Sequence, residues 1–502
     1  MLGSYLKHIP LSVTTQALLL GLTVGLVTYY TFGKKKYKLP PGPWSLPLLG
    51  NILDMNSSIP LYRTLLSWRK TYGPAITIYM GPIRCVVLND AETVNEALVK
   101  KGADYAGRFQ TYSMGYISSG FKDIIFSDVT PVWKQLRKIA LQGLRQYLYG
   151  SKLEEKVFDS TSKVMRRLKE EEGKPIDVEK YIGLLVCNLL HGVCFNKSFD
   201  IDDKLFLELM DMFESINEIG NGFWEDVIPP LRKFPTSKFT RITTKFGIFL
   251  DFIRSEFQTH KASFSEDDMK DFMDYLIHAR RQAAIEDPEI ENIITDTHLV
   301  HTCSDIFSAG IDTTRQTINW TILLLVAYPE IQTKVQAELD KVLDAGQAPT
   351  LNDRERLPYT EAVLHESMRL CPVAPLGLPH STRCDTTIGE YEIPKGTMVL
   401  INYWALHNDP ENWKDPEIFS PERLLDTDGK LAPKTMSWLA FSAGRRNCLG
   451  ETIARPEMHL ILAILLRNFT FRCPEGKTLD LTPRGNLAFL AQKAAIIAEE
   501  RK

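Results

Sequence analysis

A ten-residue segment near the C-terminus constrains this chain more than any other. Residues 441–450 read Phe-Ser-Ala-Gly-Arg-Arg-Asn-Cys-Leu-Gly, and an apolar helical pattern follows directly. The segment places Cys448 between Gly444 and Gly450, with Arg446 two positions before the cysteine. Glycine permits a tight turn that approaches a flat ligand closely, and N–H groups at a helix start stabilise a thiolate. The pattern favours a cysteine that ligates a buried metal centre; the alternative is an inert buried cysteine.

The size and composition of the chain allow a large core and exclude some classes of protein. It has 502 residues, 44% of them hydrophobic, and a formal net charge of −3. A net charge this close to zero gives no overall positive potential that would attract nucleic acid, so no nucleic-acid partner is expected. None of the eight cysteines belongs to a Cys-x-x-Cys pair or to a zinc-type spacing. We expect reduced cysteines in a protein that faces the cytosol.

The N-terminus predicts a membrane anchor over residues 1–33. Residues 10–33 contain no charged side chain, and three lysines follow at once, at positions 34–36. A bilayer-spanning helix needs about 20 apolar residues, and positive residues favour the cytoplasmic side. We therefore expect a single-pass protein with its bulk in the cytoplasm. A cleaved signal peptide is the alternative, although no clear cleavage site follows the apolar stretch.

Residues 34–51 form a basic and proline-rich segment that we interpret as a hinge. The dense prolines exclude a helix and predict a stiff spacer between membrane and domain. No further domain boundary is visible after residue 51, so residues 52–502 are expected to form one catalytic domain.

The pattern of the remaining chain predicts a mostly α protein with a smaller β part. Residues 75–90 read as a hairpin around Gly81-Pro82, and strands return over residues 385–402. Between them, helical periodicity dominates from about residue 91 to 370. We expect an α+β fold weighted to α.

The longest predicted helix runs from about residue 296 to 328 and carries an anomalous middle. Its C-terminal half is apolar all round, as in a core helix, yet residues 309–314 read Ala-Gly-Ile-Asp-Thr-Thr. Glycine and threonine weaken a helix interior, and a buried aspartate is costly unless it is paired. This departure indicates a site at Asp312 and Thr313; the alternative is a kink or a helix-packing groove.

The loop pattern Phe-x-x-Gly-x-Arg-x-Cys-x-Gly resembles the heme-binding loop of the cytochrome P-450 family, the heme-thiolate monooxygenases. The resemblance implies that Cys448 is the axial ligand of the iron in heme b (iron protoporphyrin IX). It also places Phe441 and Gly444 against the heme, and it implies the P-450 fold, here preceded by a single N-terminal transmembrane helix.

The segment at residues 309–314 resembles the oxygen-activation segment of the same family. By that resemblance Thr313 donates a hydrogen bond toward bound dioxygen, and Asp312 helps to relay protons from solvent. Ala309 and Gly310 would leave room above the heme.

Several cationic or aromatic residues match positions that contact the heme propionates in the family. They are Trp133, Arg137, Arg446, Arg108 and His380. For His380 an ordinary surface histidine is the alternative. The family also joins Glu366, Arg369 and Arg423 in a buried triad that supports the heme loop; alone, such a Glu-x-x-Arg pair would be an exposed pair of little worth.

The helix around Trp133 carries exposed-looking basic residues, namely Lys134, Arg137, Lys138 and Arg145. By family resemblance this side docks a flavoprotein reductase that delivers electrons from NADPH, with a cytochrome b-type protein as a further donor. Charge complementarity would make that docking salt-sensitive; a merely solvated face is the alternative.

The resemblance is strongest to the steroid 17-alpha-hydroxylase/17,20-lyase branch, with the aryl-hydrocarbon hydroxylase branch close to it. It rests on segments such as Leu-Pro-His-Ser at 378–381 and Asn-Tyr-Trp-Ala-Leu-His at 402–407. It implies a monooxygenase of the endoplasmic reticulum membrane that uses dioxygen to hydroxylate a lipophilic small molecule, with a steroid as first choice. An aromatic or xenobiotic substrate is the alternative, and so is a heme-thiolate protein that does not use dioxygen.

The chain departs from the steroid branch in two places. Arg315 and Gln316 follow the two threonines of the long helix, and the steroid-binding asparagine has only Asn217 and Asn221 as candidates. The choice of substrate therefore rests on framework residues rather than on residues of the pocket.

Overall fold

The computed structural model describes residue 21 and residues 37–501, apart from 47–48, 56–58, 172, 218–221 and 486–487. The anchor predicted for residues 1–33 thus lies outside the described residues except at residue 21, and Asn221 also lies outside them. Within the described residues one helix, Val178–Phe195, is long and apolar enough to cross a membrane, and it is 83% buried. Burial of that extent identifies it as a core helix of the domain.

Helices dominate the architecture of the described residues, and strands make up a much smaller part. This confirms the mostly α fold with a smaller β part. The α-helices, in chain order, are α1 Ile52–Met55, α2 Leu61–Tyr72, α3 Ala91–Asn95, α4 Tyr112–Ile117, α5 Pro131–Tyr147, α6 Ser151–Glu170, α7 Val178–Phe195, α8 Lys204–Asn217, α9 Trp224–Val227, α10 Ser237–Ser263, α11 Phe272–Glu286, α12 Glu289–Ile293, α13 Asp296–Ala327, α14 Pro329–Val342, α15 Pro358–Leu370, α16 Tyr403–His407 and α17 Glu451–Asn468.

The strands form three small sheets. They are β1 Ala75–Met80, β2 Ile83–Leu88, β3 Gly107–Arg108, β4 Ile176–Asp177, β5 His380–Ser381, β6 Thr386–Ile388, β7 Tyr391–Ile393, β8 Met398–Ile401, β9 Phe469–Arg472 and β10 Ala495–Glu500. The largest sheet has the order β1-β2-β8-β5-β3, and the others are β4-β10-β9 and β6-β7. The predicted hairpin is confirmed as the antiparallel pair β1 and β2. In the large sheet the pairing of β3 with β5 sets Arg108 opposite His380.

The proline-rich segment, predicted as a stiff spacer, is hydrogen-bonded to the domain at several of its described residues. The N–H of Thr77 donates to the Pro41 carbonyl at 2.9 Å, and the N–H of Glu392 donates to the Lys38 carbonyl at 2.8 Å. A Cβ on Gly42 would overlap the Thr77 carbonyl oxygen, so only glycine permits this approach. Any flexible linker to the membrane therefore ends before these residues.

The long helix α13 organises the core around the candidate site. It begins at Asp296 after a capping box in which the His298 side chain reaches the N–H of Thr295, at 3.1 Å. It ends at Ala327, before Pro329, within a residue of the predicted bounds. The helix packs along α7 and also meets α5 and α17. Helix α13 thus contacts the helix that carries Trp133 and Arg137 and the helix that follows the cysteine loop.

Candidate active site

The loop before α17 holds Cys448 in a defined turn. The N–H of Cys448 donates to the Phe441 carbonyl at 2.9 Å, which closes the loop around a short 3-10 turn at Gly444–Arg446. The cysteine side chain is accessible, yet burial among surrounding protein atoms raises the pKa of its thiol, against opposing N–H groups of Gly450 and Glu451. The thiol is thus accessible although protein atoms surround it on other sides.

Gly444 is required in this loop for a reason that differs from the predicted approach to a ligand. Its φ is +70°, in the left-handed region, and a Cβ here would overlap the carbonyl oxygen of Leu98. The loop is therefore seated directly on the turn at Glu96–Lys100. By contrast, a Cβ on Gly450 would meet no protein atom within 4 Å.

The Arg446 side chain points into the domain, and two of its three guanidinium nitrogens have hydrogen-bond partners. Its Nε donates to the Ala106 carbonyl and its Nη2 to the Ser127 carbonyl, both at 2.8 Å. Its Nη1 is buried without a hydrogen-bond partner. Burial, and then the neighbouring Arg108, lower the pKa of this guanidinium to about 9. The group sits where a negative charge would stabilise it.

Three further groups converge on the same place. Arg108 donates to the carbonyls of Ile125 and Leu378, and burial lowers its pKa to about 10. Arg137 donates to Asn447 in the cysteine loop, at 2.7 and 3.0 Å. His380 is buried and its Nδ1 lies 2.9 Å from the Tyr105 carbonyl. This burial excludes the surface-histidine reading of His380.

The electrostatics of this cluster fit a dianionic ligand. Burial, followed by Arg108, lowers the pKa of His380 to about 3. Among the described residues, neither His380 nor the three arginines, Arg108, Arg137 and Arg446, forms an ion pair with a carboxylate. A buried arginine without an anionic partner is costly, so Arg446, with Arg108 and Arg137 near it, is suited to ligand carboxylates. The two propionates of heme b would supply such groups.

Trp133 takes a different part in the cluster from the one expected. The Thr130 side chain caps the start of α5 through the N–H of Trp133, at 3.0 Å, and so fixes the tryptophan in the first turn. The indole N–H donates to the Ile124 carbonyl at 3.0 Å. The ring face lies 4.1 Å from the guanidinium carbon of Arg446. Here Trp133 supports an arginine rather than offering its own N–H to a ligand.

On α13 the accessible residues form a short stripe in an otherwise buried helix. Ala309 and Thr313, one turn apart, are accessible, and the Thr313 hydroxyl donates to the Ala309 carbonyl at 2.7 Å. Gly310 does not share this stripe, since a Cβ there would press on Leu190 of α7 at 3.1 Å. Gly310 therefore allows close helix packing, whereas the expectation of added space applies to Ala309.

Asp312 is half-buried and paired. Its Oδ1 accepts from Nη2 of Arg315 at 2.8 Å, and Nη1 of Arg315 lies 3.2 Å from Oε1 of Glu179 on α7. The ion pair with Arg315 offsets the free-energy cost of placing the Asp312 carboxylate in a core helix. The sequence does not predict that Glu179 belongs to this site, because Glu179 lies far from Asp312 along the chain.

The predicted triad is present and buried. The Glu366 carboxylate accepts from Arg369 at 2.8 Å and from Nε of Arg423 at 2.9 Å. Arg369 also donates to the His407 carbonyl at 2.7 Å, and Nε2 of His407 accepts from the N–H of Leu439 at 3.0 Å. The triad thus reaches the segment that leads into the cysteine loop. His407 was missed from the sequence, although it lies in a segment that matched the family.

Comparison with known proteins agrees with this site. The family model described as Cytochrome P450 matches residues 40–498. The chain belongs to the cytochrome P450 family. This P450 is 33% identical to the steroid 17-alpha-hydroxylase/17,20 lyase of Ictalurus punctatus, over 92% of the chain and 91% of the relative. It is 34% identical to the enzyme of that name from Gallus gallus, over 91% of both. It is 35% identical to cytochrome P450 1A1 of Sparus aurata, over 92% of the chain and 90% of the relative.

Membership of the family makes the protein a P450 monooxygenase and implies a heme-thiolate centre. The described residues fit that group: Cys448 is accessible in its loop, and three arginines without carboxylate partners among the described residues lie beside it. Both named branches to which the sequence was compared appear among the relatives.

Proposed function

We propose that this P450 hydroxylates a lipophilic small molecule of steroid type at the endoplasmic reticulum membrane. The reaction would use dioxygen and electrons from NADPH, delivered by a flavoprotein reductase. The observation that carries oxygen use is the pair Asp312 and Thr313: an accessible alcohol next to a carboxylate, in the middle of a helix that is otherwise core. A heme-thiolate protein that does not use dioxygen has no need of such a pair.

The residues of the chain divide the work of this reaction. Heme, when bound through Cys448, supplies the redox chemistry that inserts one oxygen atom into the substrate and releases the other as water. The N–H groups of Gly450 and Glu451 stabilise negative charge on the sulfur. Arg108, Arg137 and Arg446 would neutralise the propionates and orient the ring, and the uncharged His380 would lie beside them.

On α13, Thr313 and Asp312 handle protons. The Thr313 hydroxyl donates to a carbonyl of its own helix, and rotation of the hydroxyl would let it donate into the accessible space instead. Asp312 can replace each proton that Thr313 gives up. The apolar core around α13 keeps bulk water away from that exchange.

Two substrate classes remain supported by the relatives. Steroid hydroxylases match at 33–34% identity, and cytochrome P450 1A1 proteins match at 35%. The second candidate is therefore oxidation of a planar aromatic or xenobiotic compound. A screen for substrate-induced spin shifts, run in parallel with steroids and planar aromatics, separates the two classes.

Surface features support a membrane-bound enzyme with an acidic redox partner. Trp44, Leu49 and Leu53, which follow the predicted anchor in the chain, are exposed apolar side chains. Lys134, Lys138, Arg145 and Arg445 are exposed cations on α5 and on the cysteine loop. We expect the rate of reduction by the reductase to fall as salt concentration rises.

The proposal is tested with the full-length, heme-loaded protein, the reductase and NADPH. The reduced, carbon-monoxide-bound protein should show the red-shifted Soret band of a thiolate ligand. Cys448→Ala should lose that band, and Cys384→Ala, which removes an exposed cysteine, should keep it. The function is refuted if the folded, heme-loaded protein consumes no oxygen and yields no hydroxylated product with any steroid or aromatic compound tested.

A further inference from the structure

Arg315 follows the two threonines of α13. Its side chain is buried in the core beside Asp312. Its side chain is 3% exposed and contacts two carboxylates, those of Asp312 and Glu179. Gln316 supports the second of them, since its Nε2 donates to Oε1 of Glu179 at 2.9 Å. A Cβ on Gly183 would lie 3.4 Å from Cδ of Arg315, so this glycine leaves room for the arginine stem. A buried arginine needs such partners, because an unpaired buried charge is strongly destabilising.

The ion pairs continue from Glu179 to the surface. Oε2 of Glu179 lies 3.4 Å from Arg484, and Nη1 of Arg484 lies 3.0 Å from Glu214. Oε1 of Glu214 lies 3.7 Å from Lys493. Side-chain exposure rises along this series, from 3% at Arg315 and 7% at Glu179 to 25%, 29% and 63%. The result is a continuous series of charges from the middle of α13 to solvent.

The geometry of α13 sets Asp312 on the side of this series. Consecutive helical residues point about 100° apart, whereas residues three and four apart share a face. Asp312 therefore shares a face with Arg315 and Gln316, and Thr313 shares the accessible face with Ala309. Oδ1 of the Asp312 carboxylate is held by Arg315, and Thr313 is the next residue along the helix.

We propose that Arg315 is a positioning residue for proton delivery, which fixes Asp312 through a series of ion pairs that runs from Arg315 through Glu179, Arg484 and Glu214 to the surface. The inference rests on the proposed function, in which Asp312 supplies protons to Thr313. Each proton that leaves the Thr313 hydroxyl is replaced from Asp312, and Asp312, whose side chain is 21% exposed, takes up a proton from solvent water. The arginines of the series stay protonated and hold the carboxylates in place. When this delivery fails, dioxygen reduced by NADPH leaves as hydrogen peroxide: O2, NADPH and one proton give H2O2 and NADP+.

The test compares Arg315→Met, Arg315→Lys and Glu179→Gln with the wild type in the reconstituted full-length enzyme. Arg315→Met keeps an unbranched stem beside Gly183 but removes the charge. We expect its ratio of product to hydrogen peroxide to fall roughly tenfold, which is less than the roughly 10²–10⁴-fold that a proton-transfer group itself contributes, because Arg315 acts only through Asp312. Its solvent isotope effect on product formation should rise. Arg315→Lys should restore part of the ratio, and Glu179→Gln should lower it less than Arg315→Met.

Two further measurements separate positioning from packing. The infrared C–O stretch of the reduced, carbon-monoxide-bound protein reports polarity beside Thr313, and it should shift in Arg315→Met. A double-mutant cycle with Asp312→Asn should be non-additive, because Arg315 acts through that carboxylate. Arg254→Met is the matched control: it breaks a pair of the same i,i+3 type and the same 2.8 Å length with Asp251, on the exposed face of α10.

The outcomes distinguish a failure of the role of Arg315 from a failure of the proposed function. A wild type that forms no product overturns the proposed function. A wild type that forms product, beside a folded Arg315→Met with unchanged product-to-peroxide ratio, isotope effect and C–O stretch, overturns the role of Arg315 alone. If Arg315→Met does not fold, the same three readouts in Arg315→Lys and Glu179→Gln decide, and wild-type values in both overturn it.

Discussion

The guanidinium carbon of Arg446 lies 4.1 Å from the ring centre of Trp133. The guanidinium of Arg446 packs on the aromatic face. Its Nη1 is buried without a hydrogen-bond partner among the described residues. The stack thus holds a cation ready for a ligand carboxylate, and a cation over a tryptophan face is itself stabilised when desolvated.

Removal of this ring should weaken both the fold and heme binding. Trp133 is 5% exposed, and truncation of a buried tryptophan to alanine costs about 3–5 kcal/mol. We expect Trp133→Ala to lower the unfolding temperature and to purify with less heme. Trp133→Phe keeps a ring under Arg446, loses only the bond to Ile124 and should retain more heme. Trp224→Ala, at an exposed site, is the control and should change neither quantity; equal heme loss in the phenylalanine and alanine variants would contradict the stacking role.

Alanine at position 444 should disrupt the cysteine loop. It would force a left-handed φ on a side chain and overlap the Leu98 carbonyl, and such strain costs at least about 1–3 kcal/mol. The expected result is a reduced, carbon-monoxide-bound protein with a diminished thiolate band. Gly247→Ala, in the middle of α10 with no atom within 4 Å, should instead stabilise by about 0.5–1 kcal/mol. A normal band in Gly444→Ala would show that the loop does not depend on this contact.

Neutralisation of Glu366 should be among the most destabilising single changes. Its carboxylate is fully buried between Arg369 and Arg423, so Glu366→Gln leaves two cations without their anion, at a cost of about 3–5 kcal/mol. Denaturant unfolding measures the loss. Asp159→Asn breaks an exposed i,i+4 pair with Lys163 and should cost about 0–1 kcal/mol. A loss below 1 kcal/mol in Glu366→Gln would contradict the triad's structural role.

The stability of the protein should fall as pH rises through the weakly alkaline range. Burial alone would lower the pKa of His260, but the hydrogen bond and charge of Asp271, 2.8 Å away, raise it to about 9 from 6.5. A raised pKa stabilises the folded state fully below pH 6.5 and loses that contribution as pH approaches 9. The contribution is about 3 kcal/mol. Unfolding measured from pH 6 to 9 should show the decline, and His260→Gln should flatten it; an equal slope in the variant would assign the dependence to other groups.

Features set by near neighbours in the chain were predicted well. The bounds of α13 follow from its start near Thr295 and its stop at Pro329, and the β1–β2 hairpin follows from alternation around Gly81-Pro82. These features depend on backbone preferences and periodicity, which a short window of residues contains.

Features set by distant partners were predicted poorly. The prolines of residues 37–46 correctly excluded a helix, but nothing in that segment announces the edge of β1 on which it packs. Gly444 and Gly310 were assigned to the ligand, whereas the structure gives them Leu98 and Leu190 as neighbours. A sequence shows that a glycine is needed, but it does not show which group approaches it.

The sequence by itself determined the chemical types at the site: a cysteine in a glycine turn, a surplus of cations, and an acid next to an alcohol on a core helix. Tertiary structure alone decided the pairing. Among the residues that the structure describes, it left Arg446, Arg108 and Arg137 without carboxylate partners, and it paired Arg315 with both Asp312 and Glu179. The physical reason is that burial makes an unpaired charge costly, so the function of each charged group depends on what the fold brings within a few ångströms of it.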